Sequence, residues 1–172
     1  MRPETKDRSA FTVPVYCADD LRVVSGANLG DPVSILNDLD LDDTYELRPG
    51  AGTSHLSLAP APEGCLKVAR ASEAGTPGAT VCIDCCLTIM SQSGATAEIL
   101  VLVELDMSGH IAAIYALPLA ALSHKVGYTL VSVDREVAPH KFAQAACVSF
   151  TCGTRIALAS GEQKPIQDLV IG

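Results

Sequence analysis

The stretch "TAEILVLVELDMSGHIAAIYALP", residues 96–118, decides the fold. Its first half is apolar at every position from Ile99 to Val103 and is bounded by Glu98 and Glu104. A strand with one wet face alternates apolar and polar residues; an unbroken apolar centre suits a strand covered on both sides. "DMSGH" (106–110) then reads as a short glycine-containing hairpin loop, and "IAAIYALP" returns as the partner strand. The pair predicts an antiparallel centre with layers on both faces.

Working outward, the same short apolar or period-two runs recur between Gly, Pro, Ser and Asp clusters. Strands are expected at Phe11–Cys17, Leu21–Val24, Thr44–Arg48, Leu56–Leu58, Cys65–Ala71, Ala79 through Met90, Ala97–Leu105, His110–Leu117 and Tyr128–Asp134. "SQSGAT" (91–96) is a second turn. Strands spaced about ten residues apart point to a mostly β chain, an antiparallel β-sandwich or barrel-like domain with few short helices. Helical turns are expected at "PLAALSHK" (118–125), opening on Pro118, and at "DPVSILNDL" (31–39). "APHKFAQAA" (138–146) reads as a linker or short helix. We divide the chain into a β-rich region, 1–143, and a distinct tail, 144–172.

The chain has 172 residues, 48% of them hydrophobic, and a net charge of −8. Its 12 Lys and Arg are scattered singly, which argues against a nucleic-acid surface. The N-terminal "MRPETKDRSAF" has no apolar core of a Sec signal, so synthesis in the cytoplasm is expected, with any export by another route. The apolar runs are too short or too broken to span a bilayer as helices. The expected partner is another protein or a second copy of the chain.

Seven cysteines are an odd number without a secretory signal, and reduced thiols packed as small hydrophobes are the expected state. "CIDCC" (82–86) contains a C-x-x-C, yet no second ligand pair follows at zinc spacing, and the motif lies in an expected strand instead of at a helix start. "NDLDLDDTYE" invites a calcium reading through Asp38, Asp40 and Asp42. Counted from Asp38, however, an EF-hand loop needs Gly where Asp43 stands and Glu where Pro49 stands. The alternation Leu39/Asp40/Leu41/Asp42 is better read as a half-buried edge strand with a solvated face, leaving these aspartates as candidates for an irregular cation site. "SGANLGD" (25–31) is a turn with no phosphate-loop pattern, the four histidines are dispersed, and there is no G-x-S-x-G elbow. No cofactor-binding pattern is read.

The tail, "ACVSFTCGTRIALASGEQKPIQDLVIG" (146–172), has a strand, a glycine turn and a second strand. Its order of residues is more specific: Ser149, Phe150, Gly153, Thr154, Ile156, Gly161, Pro165, Ile166, Asp168, Leu169 and Gly172. This resembles the opening block of the Hint (hedgehog/intein) module, in the form common in bacterial Hint proteins, over about 24 residues. That family opens on a Cys or Ser nucleophile, followed by an aromatic residue and Gly-Thr. The resemblance implies that Ser149 is the nucleophile by register and that Val148–Ser149 is the susceptible bond. Cys147 is chemically the stronger nucleophile and the alternative, but two residues out of register; Thr154 belongs to the Gly-Thr motif. The family's Thr-x-x-His block lies well downstream and has no counterpart here. The resemblance therefore implies a catalytically incomplete start of an autoprocessing module, not an enzyme in this chain. The other reading is a non-catalytic structural or interaction β-domain, such as a component of a surface or extracellular assembly.

Overall fold

A computed structural model describes residues 10–61, 65–148, 155–157 and 163–165. Nine strands form the main sheet: β1 Phe11–Cys17, β2 Leu21–Ser25, β3 Thr44–Leu47, β4 Ser54–Pro60, β5 Leu66–Val68, β6 Thr80–Ser91, β7 Thr96–Leu105, β8 Ile111–Pro118 and β9 Tyr128–Asp134. Helix α1, Ala138–Val148, follows, and then two short strands, β10 Arg155–Ala157 and β11 Gln163–Pro165. The architecture is mostly β and barrel-like, as expected from the alternation of apolar runs and turns.

Six strands close a ring in the order β6-β5-β4-β1-β8-β7, and the ring is completed by the β6–β7 ladder from Thr80↔Leu105 to Met90↔Thr96. All pairings between these strands are antiparallel. Strand β6 is longer than its short neighbour β5 can cover. Its first residues pair with β5, and its second half, Cys86 to Ser91, pairs with β9. Strands β3 and β2 continue outward from β9. Register shifts at Ile83/Cys85 in β6 and Glu104/Leu105 in β7 supply the local bends that a closed sheet needs.

The central strand is buried on both faces, and its alternation sorts residues into two cores. Leu100 and Leu102 face the barrel interior with Val13, Val15, Leu56, Leu58, Val68, Val81 and Leu117. Ile99 and Val101 face the opposite way, into a second core built with Leu21, Val23, Tyr45, Leu47, Tyr128 and Leu130 of the β2–β3–β9 extension. Helix α1 packs Ala138 and Phe142 into the barrel core, with the Phe142 ring 5.5 Å from Phe11. Two turns have the chemistry the sequence predicts. Asp106 Oδ1 accepts the Ser108 and His110 N–H groups in "DMSGH", and Gly109 and Gly94 take left-handed φ of 82° and 86°.

Two helical expectations are corrected. Residues 118–125 form no helix, because the Leu119 N–H donates to Glu98 O (2.9 Å) and prolongs the β7–β8 ladder. The expected helix at 31–39 shrinks to a 3₁₀ turn, Leu36–Asp38. Its first half is held against β2 instead, by the Val33 N–H donating to Leu21 O (2.9 Å). Residues 138–146 do form helix, within α1.

Candidate functional site

An acidic recess lies where the β2–β3 extension meets the loop between those strands. Its volume is about 420 Å³, and its walls are Asn28, Asp31, Pro32, Ser34, Asn37, Asp38, Asp40 and Tyr45. Behind it sits Asp43, only 1% exposed. The pairing of β2 with β3 brings these distant segments together, through Leu21↔Leu47 and Val23↔Tyr45. The turn after β2 then carries Asn28 over the start of β3. Its side-chain amide donates to Asp43 Oδ2 and Asp40 Oδ2, both at 2.8 Å. Ser34 Oγ donates to Asp38 Oδ2 at 3.3 Å.

Gly26 makes this turn fit. Its φ is +128°, and a Cβ there would stand 2.9 Å from the Asp43 Cα and run into the Asp43 carboxylate. Only glycine combines that backbone with so close an approach.

The recess gathers negative charge without a matching cation. Among the described residues, no Lys, Arg or His forms an ion pair with Asp31, Asp38, Asp40 or Asp43. Tyr45 is 1% exposed and lines the recess, yet its hydroxyl makes no hydrogen bond among the described residues. Burial, and then the charges of Asp43, Asp40 and Asp31, push its phenol up to about 12. A neutral donor is thus held beside several carboxylates.

The structure brings Asp38 and Asp40 to this recess and leaves Asp42 out. The expected edge strand over Leu39–Asp42 is not formed. The segment is a turn with Asp42 at φ 72° and its N–H donating to Leu130 O (2.9 Å), so Asp42 is exposed and does not join the other two. Among the described residues, no three His, Cys, Asp or Glu side chains are placed to hold a metal ion. Sequence reading missed Asn28, Asp43 and Tyr45 as members of this site. The two glycines of "SGANLGD", which flank Asn28, were the available signal.

The other buried polar group belongs to the barrel frame. Glu104, 2% exposed, accepts the Thr76 N–H (2.9 Å) and the Tyr115 O–H (2.7 Å). Burial, and then this carboxylate, push the Tyr115 phenol upward.

Of the residues singled out in the tail, Ser149 and Thr154 lie outside the described residues. Cys147 is in the last turn of α1, and its side chain is likewise outside them. Beyond α1, β10 and β11 pair antiparallel as Arg155↔Pro165, Ile156↔Lys164 and Ala157↔Gln163, a two-stranded sheet separate from the main one. Two strands are expected there, and two short paired strands are formed. The chain matches no family model, no curated protein and no solved structure.

Proposed function

We propose that this chain is the non-catalytic β-barrel domain of a Hint-type autoprocessing protein, joined to the opening block of its processing module. The observation that carries this reading is the ordered run from Ser149 to Gly172; the antiparallel pairing of β10 with β11 inside it is compatible with the reading. In this reading Ser149 Oγ attacks the Val148 carbonyl carbon, the C–N bond breaks, and an ester and the free α-amine of Ser149 result. The step conserves all atoms and needs no co-reactant until the ester is cleaved. It requires the downstream part of the module to position the bond and move protons. The barrel would then be the part released or handed to an acceptor.

The test is the intact mass of the chain expressed with the sequence that follows it in its gene. A break between Val148 and Ser149, lost in Ser149→Ala, supports the reading. A break at Ala146–Cys147 moves the nucleophile to Cys147, and an uncleaved chain unresponsive to thiols and hydroxylamine overturns the mechanism.

A second reading, of the barrel as an interaction domain, is favoured by the acidic recess. Carboxylates without counter-charges, next to an unpartnered phenol donor, suit a basic group with adjoining acceptors, such as a Lys or Arg side chain of a protein partner. Thermal shift with free arginine tests it. Stabilisation that falls with added salt and is lost in Asp40→Asn supports the reading; an unmoved melting curve at millimolar arginine counts against it.

A further inference from the structure

The C-x-x-C motif directs attention to Cys82 and Cys85, but the fold gives Cys82 a different neighbour. Cys65 Sγ and Cys82 Sγ lie 3.4 Å apart, 17 positions apart in sequence. They sit one step beyond the β5–β6 ladder, whose register is Lys67↔Thr80 and Leu66↔Val81. Continued by one residue, that register sets Cys65 directly opposite Cys82. Directly opposed residues in an antiparallel pair have Cα atoms about 4.5–5.5 Å apart, within the roughly 4.4–6.8 Å that a disulfide spans.

The orientation is also suitable. Val81 belongs to the barrel interior and Leu66 packs against it, so alternation turns Cys65 and Cys82 to the outer face. The Lys67 ammonium and Thr80 hydroxyl meet on that same side, at 2.9 Å. Both thiols are part-exposed, within reach of a small oxidant. The other described cysteines have no such partner. Cys85 and Cys86 are buried in separate cores, where burial raises both thiols, and Cys17 is exposed on β1 with no thiol beside it.

We propose that Cys65 and Cys82 form a redox-responsive cross-strand disulfide that staples β5 to β6 in the barrel wall. Strand β5 has three residues and joins β6 through only two paired positions, as few as any ladder in the ring. The bond would tie the chain across this short ladder and enclose β5 with the loop that follows it. With peroxide as oxidant, one thiolate attacks an O–O oxygen, giving a sulfenic acid and water. The second thiol then displaces the sulfenic oxygen as a second water, forming S–S. Two thiols are oxidised and one peroxide is reduced to two waters, so the step balances. Burial, and then the neighbouring Cys65 thiol, raise the Cys82 thiol.

The experiment uses the full chain, reduced and then treated with graded hydrogen peroxide, followed by alkylation, peptide mapping and thermal melting. The expected result is a mass loss of two hydrogens and a crosslinked peptide joining Cys65 to Cys82, both reversed by dithiothreitol. The melting temperature of the oxidised form should rise by about 5–10 °C. Cys65→Ser and Cys82→Ser should each abolish that peptide and the peroxide-induced rise. Should either variant fold poorly, the map on the unmodified chain decides alone. A link through any other cysteine pair, or peroxide converting Cys65 and Cys82 separately to sulfinic acids, overturns the site. A Cys65–Cys82 link that leaves melting unchanged overturns the stapling role.

Discussion

At Gly26 a single hydrogen in place of a side chain determines whether the acidic recess can exist. The added Cβ of Gly26→Ala would meet the backbone and carboxylate of Asp43, and the φ of +128° would strain any L side chain. The combined cost should be about 2–4 kcal/mol in urea unfolding, whereas Gly30→Ala, which has open space at its Cβ, should cost less. Tyr45 yields a second prediction. Its folded value of about 12 lies above the ordinary tyrosine value of about 10, so the folded state keeps a proton that the unfolded chain releases. The stability tied to that proton is intact below pH 10 and declines as pH rises from about 10 to 12, by about 3 kcal/mol in total. Tyr115 is raised as well and adds to the same decline. Tyr45→Phe should therefore flatten the alkaline limb of the stability curve in part, as measured by chemical denaturation at pH 9, 10 and 11. An unchanged limb would mean that Tyr45 titrates normally.

Among the elements, β7 and α1 show what a run of residues can and cannot announce. Leu102 is fully buried in the barrel and Met107 projects fully into solvent two residues past the end of the same strand. Leu102→Ala should cost about 2–5 kcal/mol and Met107→Ala under about 0.5 kcal/mol, compared by urea midpoints. Phe142→Ala, which removes the ring that α1 sets against Phe11, should cost about 3–5 kcal/mol. The strands were legible because period and punctuation agree: β1 and β9 run from the first to the last residue expected of them. The segments that misled have apolar residues serving loops. Leu122 is buried in "PLAALSHK" without any helix, in a segment that leaves β8 with the Leu119 N–H bonded to Glu98 of β7. Leu39–Asp42 alternates like a strand, yet its backbone turns toward Leu130 and leaves Leu41 57% exposed. Alternation reports which side chains want burial, and says nothing of whether a neighbouring strand exists to pair with.

On the scale of the whole molecule, the site was less legible than the fold because it is made by pairing across distance. Asp38 and Asp40 stand out in an acidic run, but Asn28 and Tyr45 acquire meaning only when β2 lies on β3. The cysteines repeat the lesson, since Cys82 meets Cys65 through the β5–β6 register instead of Cys85 through the motif. The same long-range logic makes a last prediction about the tail. The ring of β6-β5-β4-β1-β8-β7 closes, and α1 completes its core with Phe142, without hydrogen-bonded pairing to β10 or β11. Those two strands pair with each other in a sheet of their own. A chain ending at Val148 should therefore melt within about 2 °C of the full chain, by circular dichroism and with the same cooperativity. Removing α1 as well, by ending at Val137, should lower the melting temperature by about 10 °C or more, since it uncovers the core around Ala138 and Phe142. A large loss on trimming at Val148 would show that the tail stabilises the barrel. That outcome would also count against a scheme in which cleavage before Ser149 releases a domain able to stand alone.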